Sequence, residues 1–494
     1  MSAQTIKKVV IAGGGSAGWC TAAALSRLLG PLLEVTLVES KDIGIIGVGE
    51  ATVPTMRNFH HLLNIDEKEF MRATNGSIKM AIRFENWARI GDSYIHSFGQ
   101  VGKSPWMASF HHLWHQANAD GIGGELGEYC LEHEAARAGK FQTGPNSKIN
   151  YAYHLDTALY GQYLRGLSEK AGVRRVEGTI TSVTQDAQSG DVTALVMDSG
   201  EVIEGDLFID CTGMRGLLIE QTLKTGFDDW DHWLANDRAI ALQAESTGPF
   251  MPYTEAIAHA DGWRWRIPLQ NRVGTGLVYA SQTLSDDAAM ARFDSLLEGA
   301  KLTEPSFIKF RTGRRRKVWN RNVIAFGLSS GFIEPLESTN IHLFQAGITR
   351  LVQNFPFAGI SDAARNHFNE VTRHEVEHVR DFVIMHYKLT ERDDSPYWRA
   401  RRDMAVPDTL AERIALYKEN AKLFQWNDEV FRVDSWLQVM HGQRLRPERW
   451  HHLGKLMTAE QTKMALNGLS GNIAGAVRKM PTHADFLKAW LAQT

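Results

Sequence analysis

The chain has 494 residues, 43% hydrophobic and 22% charged, an ordinary globular mix with room for roughly two to four domains. Its formal net charge of −3 sets 54 Lys and Arg against 57 Asp and Glu, which argues against holding nucleic acid by bulk charge. Three scattered cysteines (Cys20, Cys130, Cys211) exclude a disulfide scaffold or a cysteine-rich zinc site. No apolar run of about 18 residues marks a membrane span, and the first strand begins too early for a leader, so a cytoplasmic setting is expected. The 14 tryptophans are many for a side chain that needs packing or a flat ligand.

Val9-Val10-Ile11-Ala12 reads as a buried strand running into Gly13-Gly14-Gly15-Ser16-Ala17-Gly18, followed at helical density by Ala22, Ala23, Ala24, Leu25 and Leu28. Gly13, Gly15 and Gly18 fit G-x-G-x-x-G: a tight turn, close backbone approach to a pyrophosphate, and helix packing on the strand. The free N–H groups at the helix start favour the pyrophosphate charge. A second strand, Glu34-Val35-Thr36-Leu37-Val38, ends in Glu39, where a ribose-binding carboxylate belongs. The complete strand–glycine–helix–strand–acid unit is a strong nucleotide signal; the glycines alone do not separate NAD from FAD.

Leu207-Phe208-Ile209 is an apolar strand ending in Asp210-Cys211-Thr212-Gly213, similar to the second fingerprint of FAD monooxygenase-type proteins. There is no second G-x-G-x-x-G after a strand, so reduction by another protein is expected. Further on, Gly262-Trp263-Arg264-Trp265-Arg266-Ile267-Pro268 contains W-x-W-x-I-P. By spacing alone this is an aromatic edge strand with Trp263 and Trp265 on one face and Pro268 stiffening its end. The whole string resembles the hallmark of flavin-dependent halogenases of the tryptophan halogenase type. Gly44-Ile45-Ile46-Gly47-Val48-Gly49-Glu50-Ala51-Thr52-Val53-Pro54 resembles that family's flavin-contacting loop. Ser77-Ile78-Lys79-Met80 is similar to its lysine segment, and Phe332-Ile333-Glu334-Pro335-Leu336-Glu337-Ser338-Thr339 to its glutamate and halide loop. With Tyr151-Ala152-Tyr153-His154-Leu155-Asp156, the resemblance runs from residue 8 to about 400.

The resemblance implies FAD, supplied reduced as FADH2, with contacts from Gly13, Gly15, Ser16, Ala17, Gly18, Glu39, Ala51, Gly327, Leu328 and Ile341. It implies halide (chloride or bromide) at the Thr339 and Asn340 amides. O2 and halide then give hypohalous acid, which Lys79 directs at an electron-rich ring. Trp263, Trp265, Ile267 and Pro268 would separate flavin from substrate.

Read without the family, Lys79 lies on the polar side of one alternating strand, Ile78 to Glu85, and needs no function. As a lysine it offers three donors to an oxidant, or a free amine if burial removes its proton. Glu337 reads either as a first-turn carboxylate favoured by the helix dipole or as the base that takes the ring proton. Ser338 or Thr339 is the expected N-cap of the helix marked by Ile341, Phe344, Ile348 and Leu351. Asn340 stands where many family members have Gly, and Asn tolerates a positive φ.

After about residue 356 helical patterns dominate, with one long helix over 368–389. His374-Glu375-Val376-Glu377-His378 formally matches H-E-x-x-H, a zinc motif, against the plainer reading of a charged helix face; no metal site is expected. The histidines at 111, 112, 115, 451 and 452 read as packing or surface groups. Arg314-Arg315-Arg316-Lys317 reads as a solvated loop or strand edge. In the stretch from Leu437 to Trp450 there is no adjacent Tyr-Tyr with Glu-Glu to hold an amino acid, so indole or an indole-like molecule is preferred over free tryptophan.

The expected fold is α/β: an FAD-binding Rossmann-like core (FAD monooxygenase-type) over 1–355 with interleaved sheet segments, then a mainly helical region over 356–494. The expected partners are a separate NAD(P)H-dependent flavin reductase and a small aromatic substrate, with no nucleic acid or membrane, and an assembly compatible with a homodimer. The competing readings are a flavin-dependent aromatic monooxygenase, a zinc metalloprotein through His374/His378, and a non-catalytic nucleotide-binding regulator.

Overall fold

The structure is a computed structural model, and it describes residues 5–41, 49–104, 107–144, 147–427 and 429–493. The segment Gly44–Val48 of the expected flavin loop therefore lies outside the described residues. The chain forms two compact units, each assembled from three stretches: residues 1–76, 155–237 and 309–377 in one, and 77–154, 238–308 and 378–494 in the other. The division differs from the expected boundary at 355/356. Residues 356–377 fold with the first unit, and 77–154 and 238–308 join the C-terminal helices. Strand pairing between distant segments, rather than chain order, sets the units.

The first unit is built on a six-stranded sheet in the order Trp319–Asn320, Val323–Ala325, Leu207–Asp210, Lys8–Ala12, Glu34–Glu39, Arg174–Glu177. All its neighbours pair in parallel except the antiparallel edge Trp319–Asn320. The apolar runs Val9–Ala12 and Leu207–Ile209 are continuous, as strands covered on both faces must be. Helix Ser16–Leu29 buries Ala22, Ala23 and Ala24, small side chains that let it lie close to its neighbours, the helices Thr157–Lys170 and Asn340–Gln353. On one side Val10, Phe208 and Val323 pack with Leu195, Ile203 and Ile219 into a single core cluster.

The second unit carries a seven-stranded sheet in the order Ser306–Lys309, Arg238–Ala244, Val273–Tyr279, Gly262–Pro268, Tyr253–His259, Ala81–Glu85, Ser93–Ser97. Gly262–Pro268 is thus its middle strand, not an edge. It is paired antiparallel on both sides, with Trp265 opposite Ala256 and Gly276. Residues 78–85, read as one strand, form two: Ser77–Lys79 pairs with Ala152–His154, while Ala81–Glu85 enters the large sheet. The break falls at Met80, whose N–H donates to the Pro252 carbonyl. Beyond residue 356 the described secondary structure is helical, beginning with Asp362–Lys388, six residues longer at its start than expected. Among the described residues no helix is long and apolar enough to cross a membrane.

Candidate functional site

The nucleotide loop lies in the first unit, at the C-terminal edge of the parallel sheet. Gly13 has φ +109°, and a Cβ there would sit 2.2 Å from the Cys211 carbonyl oxygen, so the loop packs directly on the second fingerprint strand. A Cβ on Gly14 would lie 1.7 Å from Glu39 Oε2. Gly14, which the G-x-G-x-x-G spacing leaves unassigned, thereby sets Glu39 against the loop. The Glu39 carboxylate accepts from Arg175 Nε at 2.5 Å and Trp19 Nε1 at 3.1 Å, which fixes its rotamer. Gly15 occupies the N-cap position of the helix that begins Ser16-Ala17-Gly18, and a Cβ on it would meet nothing within 4 Å. Open space over free helix N–H groups, with a fixed carboxylate beside it, suits a dinucleotide pyrophosphate and ribose.

Asp210 ends the fingerprint strand fully buried and accepts five hydrogen bonds. Thr212 N–H, Thr212 Oγ1–H and Ser329 Oγ–H reach one oxygen; the Leu218 and Ile219 N–H groups reach the other at 2.8 Å. These bonds bind the turn Gly327–Ser329 to the fingerprint, and Gly327 comes so near Ala17 that a Cβ would lie 2.8 Å from the alanine methyl. Gly327 is therefore placed beside Ala17. Ala51 ends the short strand Gly49–Ala51, and four residues later Thr55 Oγ1 lies 2.9 Å from His342 Nδ1, linking this segment to the helix that contains Ile341.

Thr339 is the N-cap of helix Asn340–Gln353 but makes no side-chain capping bond. Its buried Oγ1 has no hydrogen-bond partner among the described residues. The left-handed residue of this turn is Ser338, at φ +62°. Asn340, for which tolerance of a positive φ was invoked, sits in the first helical position and donates Nδ2–H to the Ile333 carbonyl at 3.0 Å. Glu337 closes a short 3-10 turn and is buried, three residues before the helix rather than within its first turn. Glu334, also buried, accepts from Asn236 Nδ2 at 2.8 Å.

Lys79 and the Trp263–Pro268 segment lie in the second unit. Lys79 is 0% exposed, so the expectation of a solvent-facing polar strand side is overturned. Its Nζ lies 5.2 Å from the centre of the Phe98 ring, a cation–π contact. Trp263 and Trp265 share one strand face with ring centres 6.2 Å apart, and Ile267 follows on the same face. The Trp265 indole lies over Gly276, where a Cβ would approach the ring to 2.2 Å. Arg264 and Arg266 take the opposite face, bonding the Leu296 carbonyl and Glu255.

The decoys are used within the fold. Glu375 of the H-E-x-x-H string is buried and faces Arg350 Nη2 at 3.0 Å and His342 Nε2 at 3.4 Å, which together hold its carboxyl below the usual range despite burial. His374 instead pairs with Glu370. Among the described residues no group of three His, Cys, Asp or Glu is arranged to hold a metal. The basic run forms the middle strand Gly313–Arg315 of a three-stranded sheet: Arg314 and Arg316 face Asp228, and Arg315 faces Glu220 at 2.8 Å. Trp436 is buried under the Arg413 guanidinium at 4.0 Å, and Trp450 donates Nε1–H to Gln116. Phe98, Gly276 and Gly14 carried no sequence signal of their own, because each acts through a partner distant in the chain.

A flavoprotein-type dinucleotide cradle and a W-x-W-x-I-P strand in one chain mark a flavin-dependent halogenase. The tryptophan halogenase family profile matches residues 8–459, and the chain belongs to that family. It is similar along 99% of its length to Xcc4156, a flavin-dependent halogenase from Xanthomonas campestris, with 47% identity, 99% of that chain covered and a TM-score of 0.97. BrvH, a flavin-dependent halogenase from Brevundimonas sp. BAL3, aligns with 98% of this chain and 99% of its own at 41% identity and a TM-score of 0.94. Tryptophan 7-halogenase RebH of Lentzea aerocolonigenes is 36% identical over 438 residues, 84% of this chain and 82% of that protein. The protein is an enzyme with the FAD-binding Rossmann-like fold of these halogenases.

Proposed function

We propose that the enzyme halogenates an indole-like, electron-rich aromatic with chloride or bromide, using FADH2 from a separate NAD(P)H-dependent reductase. Bound reduced FAD supplies, with O2, the oxidation of halide to hypohalous acid. Gly13, Gly15, Ser16, Ala17 and Gly18 hold its pyrophosphate, Glu39 its ribose, and Ala51, Gly327, Leu328 and Ile341 complete the cradle. The Thr339 and Asn340 amides and the free Thr339 Oγ1 hold the halide at the helix start. The rigid Trp263–Pro268 strand keeps the aromatic substrate from the flavin, which suppresses hydroxylation.

Lys79 receives the oxidant. Its burial beside Phe98 carries this reading: the side chain is held in a water-poor aromatic setting, where a hydrogen bond donated to an oxidant is stronger than in water. A lysine N–H donated to hypohalous acid polarises the O–halogen bond, so the ring attacks halogen and water leaves once the oxygen is protonated. Glu337 takes the proton the ring then loses. The late segment supports an indole-like substrate over the free amino acid, since Leu437–Trp450 has no adjacent Tyr-Tyr with Glu-Glu to hold an ammonium and a carboxylate. Lys79→Ala should lower brominated product per turnover by roughly a hundredfold or more while flavin reoxidation continues. Product formed at the wild-type rate would remove Lys79 from the chemistry, and much faster turnover of tryptophan than indole would overturn the substrate reading.

A further inference from the structure

Strand Ser77–Lys79 is three residues long, and its ladder to Ala152–His154 is a slight hold for a residue that must be placed accurately. Two buried histidines add to it. Ser77 Oγ lies 2.6 Å from the Pro268 carbonyl oxygen and 2.9 Å from His154 Nδ1. A hydroxyl has one proton and a carbonyl oxygen only accepts. Ser77 therefore donates to Pro268, and His154 must carry its proton on Nδ1 and donate to Ser77. Thr254 Oγ1, 2.9 Å from His154 Nε2, then donates to that nitrogen. The ring is neutral, since it is fully buried and the charge of Lys79 opposes a second cation. The result is a chain of fixed polarity, Thr254 to His154 to Ser77 to the Pro268 carbonyl.

The strand backbone has a second anchor. The Ile78 N–H donates to His483 Nε2 at 3.1 Å. An amide nitrogen does not accept, so His483 also carries its proton on Nδ1, which faces the Phe250 carbonyl at 3.3 Å. His483 opens the helix His483–Leu491, so a residue more than 400 positions away stands in for a missing strand partner.

We infer that His154 and His483 are positioning residues for Lys79: as neutral Nδ1–H imidazoles they fix its strand to the end of the Trp263–Pro268 segment and to the C-terminal helix. The inference rests on the reading of Lys79 as the residue that receives the oxidant. Neither histidine is required to touch substrate; a displacement of about 1 Å at a directing group is enough to cost up to a hundredfold in rate.

The test uses the full chain with FAD, a flavin reductase, NADH, O2, bromide and indole, and reads brominated product per flavin reoxidised. Ser77→Ala and His483→Leu should each lower that ratio roughly tenfold or more with FAD affinity unchanged. His483→Gln, which returns an acceptor oxygen near the Nε2 position, should restore most of it, a rescue that a role in packing alone would not produce. Lys79→Ala runs alongside: wild-type product from it defeats the lysine assignment, whereas its loss together with wild-type ratios for Ser77→Ala and His483→Leu defeats the positioning role. If His483→Leu fails to fold, the 15N ring resonances of the unsubstituted protein decide. Both histidines should be neutral with the proton on Nδ1, and a proton on Nε2 of either overturns the inference.

Discussion

Glycine and tryptophan meet at one position that tests how the hallmark strand is held. Trp265 lies across Gly276 in the paired strand, and an added methyl would stand 2.2 Å from the indole and 2.5 Å from the Ile240 carbonyl oxygen. Both approaches are below 3 Å, so relief requires moving the indole and also the strand backbone at Ile240. Gly276→Ala should therefore lower stability by about 1–3 kcal/mol in urea unfolding and reduce product per flavin reoxidised; wild-type values of both would mean the indole position is not critical. Among the other tryptophans, Trp19, Trp87, Trp319, Trp398 and Trp436 are fully buried. Trp19 nevertheless has a specific partner in Glu39, as Trp398 has in the His259 carbonyl. Trp87 and Trp319 likewise donate to backbone carbonyls, whereas the buried Trp436 N–H has no partner among the described residues, and the count alone pointed to no function.

At the level of elements, helix Phe110–Ala119 brings its histidines into one cluster with the C-terminal region. His111 and His112 have ring centres 4.2 Å apart, His112 lies 5.9 Å from His451, and His115 stacks on Trp450. Burial, then neighbouring positive charge, pushes His111 down to about 4 and His115 to about 3, and burial with Arg446 pushes His441 to about 3, each from 6.5. With the folded values below the unfolded one, the unfolded chain binds protons first. Stability from these neutral rings is full above about pH 6.5 and is lost as pH falls towards the folded values. Unfolding free energy should decline through that window, and His115→Phe should flatten the slope by up to about 1.4 kcal/mol per pH unit. An unchanged slope would show that His115 does not contribute to the acid sensitivity. The local elements were readable in the sequence because their signals are local: the glycine turn, the acid ending the second strand and the alternation in Gly262–Pro268. Lys79 reads as lying on the polar side of one alternating strand, but the strand breaks at Met80 and Lys79 is buried near Phe98, which no periodicity records.

Across the whole molecule, the sequence order conceals the architecture. The chain passes five times between two compact units, and pairings such as Leu207–Asp210 beside Lys8–Ala12 join segments about 200 residues apart. A boundary drawn from helical composition near 355 could not anticipate that, because composition carries no pairing information. The family was nonetheless legible, since its motifs are short contiguous strings that stay intact wherever the chain is routed. The candidate cofactor and halide groups fall in the first unit, whereas Lys79 and Trp263–Pro268 fall in the second. The most direct test is one reaction of the intact enzyme with FAD, a flavin reductase, NADH, O2, bromide and indole, followed by mass spectrometry. Halogenation gives a product with the bromine isotope doublet in place of one hydrogen; a product that gains one oxygen and no bromine would contradict it.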